Sequence, residues 1–77
     1  QEIRDSIVKM IKRNAENTKE KIRGLRRDSM QTVKEVKNVS KDDVFKVEKD
    51  IQQVTDEYIK KVDDLSGAKE KEILQQE

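Results

Sequence analysis

Three arginines crowd into two helical turns at Lys21-Ile22-Arg23-Gly24-Leu25-Arg26-Arg27-Asp28. At 3.6 residues per turn, Arg23, Arg26 and Arg27 fall within an arc of about 100°. A guanidinium keeps its charge at any physiological pH and matches phosphate oxygens two at a time. Such a trio on a rigid rod suits a phosphate-bearing polymer. The bland alternative is a solvated face paired with Glu20, Asp28 or acids elsewhere. Gly24 sits inside the cluster, where a mid-helix glycine costs about 1 kcal/mol against alanine. It is read either as tolerated drift or as a place where a nucleic-acid backbone comes close.

Little else in the chain could do chemistry. It has no cysteine and no histidine, so it lacks a thiolate and the commonest general base and metal ligand. The carboxylate pairs Asp42-Asp43, Asp56-Glu57 and Asp63-Asp64 are adjacent in sequence. Neighbours on a helix diverge by about 100° and do not converge on one atom. No glycine-rich phosphate loop is present. The expectation is a non-enzyme, with no cofactor and no metal site.

The elements that must position the arginines follow from composition and period. The chain has 77 residues, 31% hydrophobic and 45% charged, with one Tyr, one Phe and no Trp or Pro. An ordinary globular core cannot be built from that, whereas long helices can. Ile3, Ile7, Ile11, Ala15, Thr18, Ile22, Leu25, Ser29, Val33 and Val36 step by threes and fours. The spacing predicts a helix over about 2–38. Val44, Val47, Ile51, Val54, Tyr58, Val62, Leu65, Ile73 and Leu74 predict a second over about 42–75, with fraying beyond. Ser66 and Gly67 are expected to weaken its last quarter. Asn38 tolerates the left-handed conformation that ends a helix. Ser40 with Asp43 three residues on resembles a capping box. A turn at about 38–42 between long helices implies an antiparallel hairpin.

The expected fold is therefore all-α: a long antiparallel hairpin with Ile7, Ile11, Ile22, Leu25 and Val33 facing Val47, Ile51, Val54, Val62 and Leu65. Each stripe is broader than a pair of helices covers. A third helix is implied, from the rest of the protein, a second copy or a partner. Alone, the hairpin is expected to be weakly stable or self-associating. Charge divides between the halves. Residues 1–39 carry 11 Lys/Arg against 6 Asp/Glu, and residues 40–77 carry 7 against 11. All five arginines lie in the first half. An acidic second helix argues against a membrane-surface role.

The signature around Gly24 resembles that of ribosome recycling factors, written I/V-R-x-V/L-R-R-D/N. Arg4 stands nineteen residues before Arg23, where that family has a functional arginine. Asp50-Ile51-Gln52-Gln53-Val54-Thr55-Asp56, Ile59-Lys60-Lys61-Val62 and Lys69-Glu70-Lys71-Glu72-Ile73-Leu74 are also similar to family segments. The likeness runs over essentially the whole chain. It implies residues 1–77 as part of a three-helix-bundle domain, without the family's first bundle helix and β-rich domain. The chain reads as a fragment, an ordered remnant or a truncated relative.

The resemblance further implies protein biosynthesis at translation termination. The bundle would bind ribosomal RNA of the large subunit. With a translocase GTPase of the elongation factor G type, the intact protein would split post-termination ribosomes. The implied RNA-binding residues are Arg4, Arg23 and Arg26, with Arg27 adjacent. The implied location is the cytoplasm in a bacterium, or the mitochondrial or plastid matrix in a eukaryote. The rival reading is a structural coiled-coil interaction module that binds no nucleic acid.

Overall fold

The computed structural model describes residues 2–75. Two helices make up the structure: α1, Glu2–Glu35, and α2, Lys41–Gln75. They pack side by side in a rod whose Cα trace measures 60 × 15 × 7 Å. Glu2 and Asp5 lie in the first turn of α1 and Lys34 in its last, signs that suit the helix dipole at both ends.

The connection shows why the helices stop and start where they do. The Val36 amide donates to the Val33 carbonyl at 3.2 Å, a tight closing bond that ends α1. Asn38 then takes a φ of 64°, the left-handed conformation expected of it. Helix α1 thus ends at Glu35, three residues short of the boundary that spacing predicts. Ser40 caps α2: its Oγ accepts from the Asp43 amide at 3.1 Å. Its carbonyl accepts the first helical bond, from Val44 at 3.1 Å. Asp42 and Asp43 follow on the positive end of α2. Gly67 and Ser66 do not interrupt α2, which runs unbroken to Gln75. The expected fraying past 75 lies outside the described residues.

Polar pairs fix the direction and register of the hairpin. Lys12 meets Glu70 at 3.6 Å and Lys19 meets Asp63 at 2.8 Å. Arg26 donates to Gln52 Oε1 at 3.3 Å, and Gln52 donates in turn to Asp56 at 2.9 Å. Residues 12, 19 and 26 rise by sevens while 70, 63 and 56 fall by sevens. This is an antiparallel ladder of cations on α1 against acids on α2.

The interior is thin. Among the described residues no apolar side chain is buried, and only Thr55, at 7% exposure, is. Its hydroxyl donates to the Ile51 carbonyl at 2.7 Å. Ile7, Ile11, Ile22 and Val33 on α1, and Ile51 and Val62 on α2, are half-buried, as expected of the helix–helix seam. Leu25, Val47, Val54 and Leu65 depart from the expectation. They are exposed, Leu25 to 67% and Leu65 to 66%. The reason is geometric. Along α1 the half-buried positions Arg4, Ile7, Ile11, Ala15, Lys19, Ile22, Arg26, Met30 and Val33 step more often by four than by three, with Val8, Arg23 and Gly24 half-buried beside them. That seam drifts off a strict seven-residue repeat. The remaining apolar row is left beside the seam.

Candidate nucleic-acid interface

The two edges of the hairpin differ in chemistry. Along one edge runs an open groove of about 500 Å³ whose walls include Ile22, Leu25, Val47, Ile51, Val54 and Tyr58. A second, shallower hollow of about 400 Å³ lies near the start of α1, with Ile3 and Met10 in its wall. Arg26, a rung of the cation–acid ladder, also contributes to the groove wall. Leu25 and Arg27 are two residues apart, hence about 160° apart around α1, and so are Leu25 and Arg23. Two of the three clustered arginines therefore point away from the groove.

Each sequence-identified arginine has its own surroundings. Arg23 is half-buried and its Nη1 pairs with Glu20 Oε1 at 2.6 Å, one turn back. Arg26 is half-buried at the seam, held by Gln52. Arg27 is exposed and, among the described residues, makes no ion pair. Arg4 is half-buried some nineteen residues earlier on the same helix. It stands apart from the trio by about 28 Å along the axis. The structure brings Arg23, Arg26 and Arg27 together and leaves Arg4 at the far end of the rod.

Hydropathy alone misses the ladder. Lys19 lies in the seam with only 12% of its side chain exposed, bridging Asp63 and Glu16, each at 2.8 Å. The hydrogen bonds to Asp63 and then Glu16 raise its pKa above 10.5. The shared seven-residue spacing of 12, 19, 26 and 56, 63, 70 was the available signal. Gly24 has no steric reason internal to the hairpin. A Cβ there would meet only Arg27 Nη2, at 3.8 Å, an ordinary contact.

Among the described residues, no group of three or more acidic side chains could hold a metal ion. None of the described helices is long and apolar enough to cross a membrane. What the fold and its charged face define is a helical-bundle protein whose apolar groove is open and whose Arg23 and Arg27 face the other way.

Comparison with known proteins places that class. The profile of the family described as "Ribosome recycling factor" matches residues 1–74. A ribosome-recycling factor of Clostridium tetani is 47% identical over 75 residues, covering 96% of this chain and 41% of that protein. One from Leuconostoc citreum is 46% identical over 74 residues, with 96% and 41% covered. One from Mycoplasma capricolum is 40% identical over 74 residues, again with 96% and 41% covered. No solved structure matches significantly. The chain belongs to the ribosome recycling factor family. It spans about two-fifths of the length of these curated relatives.

Proposed function

We propose that this hairpin binds ribosomal RNA of the large subunit through the face carrying Arg23, Arg26 and Arg27. Arg4 adds a distant contact on the same rod. The observation that carries the reading is the placement of Arg23 and Arg27 about 160° around α1 from Leu25 of the apolar groove, while Arg26 contributes to the groove wall. A further helix of the bundle can cover the groove while Arg23 and Arg27 stay accessible. Family membership supports the ribosome as target.

The mechanism is one of binding and positioning. Arginines neutralise phosphates and release counterions, which orients a stiff rod on the RNA. Duplex RNA is recognised largely by shape and backbone, so no base-reading side chains are required for this contact. In the intact protein, this docking would help a translocase GTPase of the elongation factor G type to split post-termination ribosomes. The compartment would be wherever those ribosomes are. The rival coiled-coil module draws on the internal partners of Arg23 and Arg26. The family match weighs against it.

The test is co-sedimentation of the 77-residue chain with purified large ribosomal subunits over a salt series. Binding that weakens steeply with salt is expected. Salt-independent binding, or none at any salt, would overturn the proposal.

A further inference from the structure

An aromatic ring stands largely exposed on the Arg23 and Arg27 side of the hairpin. Phe45 is 65% exposed, although it is the only phenylalanine in a chain with one other aromatic residue. It lies one heptad before Gln52, so the two are only about 20° apart around α2 and about 10 Å apart along it. Gln52 is the residue that holds Arg26. By contrast, Val54 in the groove wall lies about 180° from Phe45. The ring thus lies on the flank away from the groove, as do Arg23 and Arg27, whereas Arg26 also lines the groove.

Its surroundings are open and mixed in charge, with Asp42 and Glu48 one turn to either side alongside the lysines. The Lys49 ammonium sits 5.9 Å from the ring centroid. Lys41, one turn back, and Lys46, next in sequence, are both exposed. The result is an exposed ring in modest cation–π attraction with the Lys49 ammonium. It is what a nucleobase requires: a π-face to stack on, with cations nearby for the adjoining phosphates.

We infer that Phe45 is a stacking platform for an unpaired RNA base, placed a few nucleotides along the strand from the phosphates held by Arg26 and Arg27. This deepens the RNA-binding reading and rests on it. The arginines supply charge attraction that any RNA satisfies. Phe45 adds a preference for RNA with a base free to leave its helix, since a paired base keeps its π-face stacked internally. The target is then a junction between duplex and loop rather than a continuous duplex.

The experiment uses the 77-residue chain, a mixed-sequence single-stranded RNA dodecamer and a duplex RNA of the same length. Phe45→Leu keeps an apolar side chain but removes the ring. It is expected to weaken single-strand binding by about tenfold and to leave duplex binding unchanged. Helicity should not change, because the ring is exposed. Phe45→Trp would carry the protein's sole tryptophan. Its fluorescence is expected to be quenched by the single strand and not by inorganic phosphate.

Equal affinity of Phe45→Leu for the single strand, with no quenching of Phe45→Trp, would overturn the platform. If Arg27→Ala still weakened binding to both RNAs, the arginine reading would survive that result. A wild-type chain that bound neither RNA nor ribosomes would overturn both. A Phe45→Leu protein with altered sedimentation but unaltered RNA affinity would make the ring a protein contact and likewise overturn the inference.

Discussion

Replacing Gly24 with alanine should make this hairpin more stable. Gly24 lies well inside α1, and neither glycine among the described residues has a positive φ. The backbone there is one any residue adopts. The added methyl would lie 3.8 Å from a mobile guanidinium and touch nothing else within van der Waals range. The steric cost is therefore near zero, and the helix-propensity gain of about 1 kcal/mol is left uncancelled. In a chain of this size that gain raises the melting temperature by about 4–8 °C. Thermal melts followed by far-ultraviolet circular dichroism, at one fixed protein concentration, measure it. A melting temperature equal to or below that of the wild type would refute the reasoning. It would mean that the glycine satisfies a constraint inside the hairpin that its contacts do not reveal. Ribosome affinity of the same variant then separates the two readings of Gly24. An alanine that stabilises the helix but weakens ribosome binding several-fold marks a close backbone approach, whereas unchanged affinity marks drift.

Two further substitutions probe the hairpin itself. Ile22→Ala, in the half-buried seam, should cost about 1–2 kcal/mol, while Leu25→Ala, at 67% exposure, should change stability by no more than about 0.5 kcal/mol; thermal melts of the two would contradict the described groove if the costs were reversed. Ser40→Ala removes the oxygen that accepts from the Asp43 amide. It should cost about 1 kcal/mol of helix stability, read from the same melts, and a neutral result would mean that water replaces the cap.

The two helices and their turn were legible because each rests on local chemistry. The threes-and-fours spacing, the left-handed Asn38 and the Ser40 cap act within a few residues of themselves. The basic cluster was legible for the same reason. The division of apolar residues between seam and groove was not. Ile22 and Leu25 are both apolar, three apart and on one stripe, yet one is half-buried and the other largely exposed. Which of them meets α2 depends on how the seam drifts around α1, and that follows from packing rather than from hydropathy. Lys19 shows the converse, a charged residue in the seam because its ammonium reaches Asp63 and Glu16 at the edge. The end of α2 near 75 was legible despite Gly67, because one poor helix former inside a long apolar pattern does not end the helix.

The internal partners of Arg26 change which arginine best tests the RNA-binding face. Arg26→Ala removes the bond to Gln52 and could act through the hairpin's register. Arg27 is exposed and makes no ion pair among the described residues, so its loss should leave the fold intact. Lys60 and Lys61, on the acidic helix, serve as controls of equal charge. The most direct measurement is the affinity of Arg27→Ala for large ribosomal subunits across a salt series, beside Lys60→Ala and Lys61→Ala. The account predicts weaker binding for Arg27→Ala and a log–log salt slope reduced by about 1 unit, with unchanged helicity and little effect at Lys60 or Lys61. An Arg27→Ala protein with the wild-type affinity and slope, or one no more affected than the lysine controls, would contradict it.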